Sequence, residues 1–435
     1  MALSSKGWIV TAVGIVIVGA GGYIGAQALV GNEVEKALAQ SFEELDQSAS
    51  YDVSNVRIDK GTFNTTASAT IAVRGFQGAT AEVNLFVNHG VLSADITGDI
   101  QPNQELLTGS IDIDLEATRS SIEGQLTAAA LSAVEVDAAL SDLVVDLRRE
   151  ANGVWHVDSL AQEIIYNGDN ETVRVITPRL VINTQAEGVY AVQQRLEVPR
   201  TEIFAEGVRV YLEGLESEAE STGEGAVVNQ SGYFRIADIG ADDTSFGSMS
   251  FDMVAENWDV EAFQSFQEAY TPLMTMHMEA EESGARIDEE EERVLMIQAI
   301  ESGYDILIAN PSIAFQPLEA RITLPEFGVD FEPRLTAEVA FDGTDLSKSA
   351  LYSALWGARY PLPEQLLEAD DVMSPFEAQE YLSHRLSVAV TVTTPPDFIL
   401  SMIPMPFAAM LDASSEEQQL LWQDGSLIIN GQPIM

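Results

Sequence analysis

Apolar and polar residues along this chain change period three times, and each change predicts a different kind of element. Residues 7–31 show no period at all. The stretch from Gly7 to Gly31 has no charged side chain, and Gln27 is its only strongly polar one. That is long enough to cross a hydrocarbon core as a helix, which takes about 20 residues. From Asn32 the period becomes helical. Asn32 is a candidate cap, and Val34, Leu38, Phe42 and Leu45 then share one face. This reads as an amphipathic stalk helix leading away from a membrane.

From Tyr51 to about Tyr211 the period is two. Ser68 to Arg74, Ala81 to Val87, Gly109 to Glu116, Ala133 to Asp137 and Thr172 to Ile176 all alternate. Turn signals separate them at Asn88-His89-Gly90, Asn152-Gly153 and Asn167-Gly168-Asp169-Asn170. About eight to ten antiparallel strands in a meandering sheet are expected. Glu213 to Gly232 is acidic and rich in Gly and Ser, and reads as a flexible loop or linker. The second half mixes types. Phe234 to Val254 is strand-like. Val260 to about Glu282 and Asp288 to Ile306 read as a helical hairpin broken at Ser283-Gly284. Strands return near Ile313–Thr323 and Glu332–Phe341. Leu346–Tyr360 and Pro375–Leu386 look helical, and Ser426–Gly431 ends the chain as a short strand and turn.

The predicted fold class is therefore α+β and β-rich. An N-terminal transmembrane helix precedes an extended antiparallel sheet, with helices packed in the second half. The divisions are a tail and anchor at 1–31, an amphipathic helix and β-rich half at 32–212, a linker at 213–232, and a mixed α+β half at 233–435. Lys6 precedes the apolar run and Glu33, Glu35, Glu43 and Glu44 follow it. The positive-inside rule then keeps the N-terminus cytoplasmic and sends the body outward. Ala26-Gln27-Ala28 has the shape of a signal-peptide cleavage site, but the run exceeds the roughly 7–15 residues of a signal core.

Composition sharpens the picture. The 435 residues carry 21 Lys+Arg against 69 Asp+Glu, a formal net charge of −48. Such a surface repels phosphates, which excludes nucleic acid as a direct partner. All of the acids follow residue 31. Spread along the chain rather than clustered, they read as a solvation shell suited to salty surroundings. There is no Cys, which excludes disulfides, thiol catalysis and Cys-ligated metals.

Several patterns together resemble a known family. A Gly-rich membrane segment and an amphipathic helix precede Gly61-Thr62-Phe63-Asn64-Thr65-Thr66-Ala67. A long β-rich body follows. Phe246-Gly247-Ser248-Met249-Ser250-Phe251 leads into Asn257-Trp258-Asp259-Val260-Glu261-Ala262-Phe263. The chain closes on Asp424-Gly425-Ser426-Leu427-Ile428-Ile429-Asn430-Gly431-Gln432-Pro433. This order resembles the YdgA-like family of bacterial inner-membrane-anchored envelope proteins. The resemblance implies a single-pass protein with its body in the periplasm, and it brings no activity or site residues. Val144 to Val157 is also similar to a strand–turn–strand unit of AsmA-like envelope proteins, which build β-grooves associated with lipid handling. The plainer reading is a hairpin turning at Asn152-Gly153.

Candidate chemistry is sparse. The sequence contains no Gly-x-Ser-x-Gly elbow, P-loop, EF-hand or dinucleotide fingerprint. The four His residues are His89 in a turn, His156 in a strand, His277 on a helix with Glu281 at i+4, and His384 on a helix surface. Neither catalytic nor metal nor cofactor-binding residues are assigned. Met274, Met276 and Met278 read as packing between the hairpin helices. The exception to the acidic background is the uncharged run from Phe398 to Leu411. In it Phe398, Ile399, Leu400, Ile403, Phe407 and Leu411 are candidate hydrophobic contacts, in a buried core or against a lipid or apolar ligand. The expected function is non-enzymatic: an envelope-maintenance protein that binds a lipid, another hydrophobic molecule or an envelope protein. The alternatives are a scaffold subunit of an inner-membrane complex and an unrecognised hydrolase.

Overall fold

The computed structural model describes residues 34–47, 51–73, 80–90, 92–103, 107–118, 120–133, 137–168, 170–184, 189–224, 226–283, 286–324, 328–355, 373–394, 396, 411 and 414–434. The apolar segment at 7–31 lies outside them. So do Phe398, Ile399, Leu400, Ile403 and Phe407. The described chain is β-rich with helices, and two compact units divide it. The first takes its described residues from Met1–Glu187, Val192–Glu218 and Arg235–Gly247. The second takes them from Gly188–Ala191, Ala219–Phe234 and Ser248–Met435.

The first unit is built on an antiparallel meander. Strands β1 (Tyr51–Lys60), β2 (Asn64–Val73), β3 (Thr80–His89) and β4 (Ser93–Pro102) pair in sequence order. Next come β5 (Leu107–Gly109) and β6 (Ile111–Thr118), then β7 (Ile122–Ala133) and β8 (Asp137–Arg149). Beyond β8 the partners are split. β9 (Trp155–Leu160) pairs with the second half of β8 and β10 (Glu163–Asn167) with the first. β11 (Glu171–Ile176) and β12 (Arg179–Thr184) then both pair with the long β13 (Val189–Ala205). The split sits where Ala161 and Gln162 face Thr177 and Pro178. Ala161 donates to the Pro178 carbonyl at 3.1 Å and Thr177 to that of Gln162 at 2.9 Å. Pro178 has no N–H to give a ladder, so the pairing breaks there. With β9–β10 and β11–β12 each taken as one strand, β1 to β13 make eleven strands among the described residues, slightly more than the eight to ten expected. Asn152-Gly153 does turn the β8–β9 hairpin, with Gly153 at φ +85.

Helix α1 (Val34–Gln47) is not a projecting stalk. Val34, Leu38, Phe42 and Leu45 are buried in one cluster with inward side chains of the sheet, from Ala67 and Ile71 of β2 to Leu115 of β6. Ala67, Ala69, Ala81 and Ala94 of β2, β3 and β4 are buried in the same cluster. Asp46 accepts a hydrogen bond from the Val53 amide at 2.7 Å, which ties the helix end to the start of β1.

The described residues of 213–232 are strand on either side of a turn, rather than a linker. They are covered by β14 (Val208–Glu224) and β15 (Val227–Ala241), and β16 (Thr244–Asp259) follows. The acidity concealed a period of two. Glu216, Glu218 and Glu220 alternate with Leu215, Ser217, Ala219 and Ser221, and Ser221 is buried.

In the second unit the hairpin forms as predicted, from α2 (Val260–Ser283) and α3 (Glu289–Ile308). Asp288 caps α3 by accepting from the Glu290 and Glu291 amides at 3.0 and 3.1 Å. An antiparallel ladder follows: β17 (Ser312–Leu324), β18 (Val329–Phe331), β19 (Arg334–Phe341), β20 (Leu386–Thr393), β21 (Glu417–Gln423), β22 (Ser426–Ile429) and β23 (Gln432–Pro433). Two short helices among the described residues precede β20. They are α4 (Lys348–Leu355) and α5 (Pro375–Ser383), the latter closed by a Ser374/Glu377 capping box.

A small core joins α3 to α4, with Ile300, Leu351 and Tyr352 buried together. The Tyr352 hydroxyl donates to Glu301 at 2.6 Å, and the Lys348 ammonium pairs with the other Glu301 oxygen. Burial pushes the Glu301 carboxyl up. The hydrogen bonds from Lys348 and Tyr352, with the Lys348 charge, outweigh it and hold the carboxyl below its usual range. A depressed folded value gives stability that is present above the unfolded value, about pH 4.3, and lost as pH falls through the folded one. Glu301→Gln is therefore expected to weaken the fold at neutral pH and to flatten the loss of stability below about pH 4.3. Hydrogen-exchange protection of the α3 and α4 amides, measured down the acid limb and corrected for the intrinsic pH dependence of exchange, checks this; parallel curves for variant and parent would contradict it.

Candidate functional site

The two faces of the first unit's sheet offer different chemistry. The outward face carries cross-strand rows of polar groups. One row runs Asp114, Gln125, Asp146, Asp158, Val181, Arg195, and the next runs Glu116, Glu123, Arg148, His156, Asn183, Gln193. Between β6 and β12 these rows line an open groove of about 700 Å³. Gly124 lies in its floor, where a Cβ would stand 2.2 Å from the Asp114 carbonyl oxygen. Only glycine fits at that approach of β7 to β6.

Several of the groove's polar groups are held by neighbours in and beside it. Gln125 donates to Asp146 at 2.8 Å. Arg179 grips Asp158 with two hydrogen bonds, at 2.9 and 2.6 Å, and holds its carboxyl below the usual range. His156 Nδ1 lies 2.9 Å from the Asn183 Oδ1, and its Nε2 lies 3.4 Å from Glu150. Among the described residues that line the groove there is no Ser, Thr or Lys, so His156 has no side-chain nucleophile to activate there. The described residues contain no group of three or more His, Asp or Glu placed to hold a metal. What the groove presents is carboxylate charge and hydrogen-bond acceptors.

The inward face is mainly apolar, with Ser159, Thr184, Gln194 and Thr201 among its side chains from β9 to β13, and its burial changes along the ladder. Inward side chains of β2 to β7 and of the second half of β8 are buried in the cluster that includes α1. From β9 to β13 they are only half-buried. Val157 pairs with Ile182, Ile164 with Val175, and Leu180 with Leu196, which is 37% exposed. These pairs lie in the same rows as Leu147, Leu140 and Val145 of β8, so the core face of the sheet runs on past its helix. Period-two spacing marked this stretch as strand, but gave no sign that its core face would lie beyond α1.

The remaining sequence candidates are scattered. Leu411, the one described member of the uncharged run, is half-buried in the second unit. His89 ends β3 half-buried, with Nε2 3.0 Å from the Thr65 hydroxyl. His277 Nε2 stands 3.0 Å from the buried carboxylate of Glu292 across the hairpin, a partner that helical spacing within α2 could not reveal. His384 is exposed at the end of α5, as expected. Met274 and Met278 do not pack between the hairpin helices; both are exposed. With Phe263 and Tyr270 they form an exposed apolar stripe along α2, at helical spacing.

Among the described residues no helix is long and apolar enough to cross a membrane. No curated protein and no solved structure matches the chain. A family model does match, over residues 98–370, which takes in the outward groove, the half-buried apolar rows and the helical hairpin; the chain belongs to that family, the bacterial proteins of unknown function DUF945.

Proposed function

We propose that this is a YdgA-like, single-pass protein of the bacterial inner membrane whose periplasmic body binds a hydrophobic partner in envelope maintenance without catalysing a reaction. The observation that carries the reading is the half-buried apolar rows from β9 to β13. A sheet face rich in Val, Ile and Leu, though Ser159, Thr184 and Gln194 interrupt it, is less stable when left wet, by about 25 cal/mol per Å² of apolar surface. An acyl chain lying along those rows would cover them without needing any specific polar group. The uncharged run at 7–31 supports the anchor, and the acids, all of which follow it, suit a hydrated periplasmic body.

Photo-crosslinking tests the binding. The full chain, in native membranes, would carry benzoylphenylalanine in place of Ile182 on the inward face or, as control, Gln193 on the outward face. The expected product is a lipid-mass adduct on the Ile182 peptide and none at Gln193. Adducts at both positions or at neither would refute the reading.

A second reading is a scaffold subunit, favoured by the exposed stripe of Phe263, Tyr270, Met274 and Met278 on α2. A helix face of this kind suits packing against a helix of another protein. In that case crosslinking from Met274 yields one protein adduct, and crosslinking from Ile182 yields none.

A further inference from the structure

The turns at one end of the first unit's sheet differ from the rest of this acidic chain. β1 and β2 are joined by Gly61-Thr62-Phe63, and β3 and β4 by residues 90–92, which end in Leu92. The register places both turns at the same end, because Asn64 pairs with Asn88 and Ala94 with His89. Phe63 is 73% exposed and Leu92 is 72% exposed. The turns hold these side chains outward by tight local bonding. Gly61 N–H donates to the Asn64 carbonyl, and Gly90 N–H to that of Ser93, each at 2.7 Å. His89 N–H donates to the Phe63 carbonyl at 2.8 Å, which joins the two turns.

The start of α1 lies at this end too. Glu35 in its first turn is 3.8 Å from the Lys60 ammonium, at the β1–β2 turn. The uncharged run ends at Gly31 and α1 begins at Val34, so the link between them spans at most about 10 Å. An anchor on so short a tether keeps this end of the sheet against the bilayer. The local charge fits. Segments 61–63, 90–92 and 119–121 at this end contain no acid, and the next turn along, 150–154, carries only Glu150. Lys36 and Lys60, two of the chain's four lysines, also lie here.

We propose that this end of the sheet is a lipid-docking surface: Phe63 and Leu92 enter the bilayer interface beside the anchor, with Lys36 and Lys60 near the anionic headgroups. The proposal rests on the anchor reading above. Exposed aromatic and aliphatic tips flanked by Lys are the side chains that partition at that depth. Docking at two turns as well as the tether fixes the orientation of the first unit over the membrane.

The chain has no cysteine, so single labels are clean. The full chain would be reconstituted in vesicles of phosphatidylethanolamine and phosphatidylglycerol, with a nitroxide on Phe63→Cys, Leu92→Cys, Gln101→Cys or Ile17→Cys. Gln101 is exposed near the far end of β4, about 27 Å from the turns. Accessibility to oxygen and to a water-soluble nickel chelate then gives depth. The expected result is Ile17 in the hydrocarbon, positions 63 and 92 at the interface and 101 in water. Leu92→Ser in the Phe63→Cys background should move the label at 63 outward. If 63 and 92 match 101 while Ile17 lies in lipid, the docking proposal falls and the anchor stands. If Ile17 itself reads water, the anchor reading falls and takes this proposal with it.

Discussion

Replacing Phe42 with alanine is expected to destabilise the first unit by about 3–5 kcal/mol, the cost of removing a fully buried aromatic side chain. Phe42 is only 2% exposed and sits in the one cluster that joins α1 to the inward face of the sheet. A close-packed cluster relaxes only partly around a deleted ring, so most of the cavity would stay open. Because the chain has two units, a single unfolding midpoint is the wrong measure. Hydrogen exchange of the β2, β3 and β4 amides should accelerate, with exchange in α2 and α3 unchanged. A projecting stalk helix predicts no change in those strands, so the experiment separates the two placements of α1. A loss below about 1 kcal/mol would mean that the helix is not part of the core.

Tyr352 holds the corresponding position in the second unit. Tyr352→Ala removes the largest side chain of the core between α3 and α4 and should cost a similar amount, about 3–5 kcal/mol. Tyr352→Phe keeps the ring and loses only the 2.6 Å hydrogen bond to Glu301. Its cost should be smaller, about 1–3 kcal/mol, because the acceptor is a carboxylate already paired with Lys348. The hydroxyl also has a pH signature. Burial first, then the bond and charge of Glu301, push the Tyr352 hydroxyl well above its usual range. For a phenol raised in the fold, stability is present below the unfolded value, about pH 10, and lost as pH rises beyond it. The parent should therefore weaken above about pH 10 through this group, and Tyr352→Phe should weaken less steeply there. Exchange in α3 and α4 reads both effects; equal costs for the alanine and phenylalanine variants would contradict this account of the site.

Both variants probe helices that local sequence pattern already marks. Val34, Leu38, Phe42 and Leu45 declare a helix face by spacing alone, and the alternation from Ser68 onward declares strands. Those local periods are properties of the backbone, since side chains recur every 3.6 residues on a helix and every two on a strand. Where composition competed with period, composition misled. Glu216, Glu218 and Glu220 suggested a mobile linker, although alternation with Leu215 and Ala219 already carried the strand signal. Charge on one face costs a strand nothing when that face is wet.

The candidate site was much less legible. Period two placed Val157, Ile164, Ile182 and Leu180 in strands, and only the register showed that they continue the face buried by α1. The uncharged run from Phe398 to Leu411 drew attention by its composition, yet the apolar rows that carry the proposed function lie elsewhere. Spacing put His277 beside Glu281 on one helix; folding of the hairpin set it against Glu292.

The sequence by itself determined the kinds of element, their order, the acidity of the body and the uncharged N-terminal run, because each depends on neighbours within a few residues. Tertiary structure decided which faces are covered. It buried α1 in one cluster with the sheet's inward face, left the rows from β9 to β13 half-buried, and brought Phe63, Leu92, Lys60 and the start of α1 to one end of the sheet. Those outcomes depend on register between strands far apart in the chain, and a periodic sequence fits several registers equally well until a whole face is packed at once.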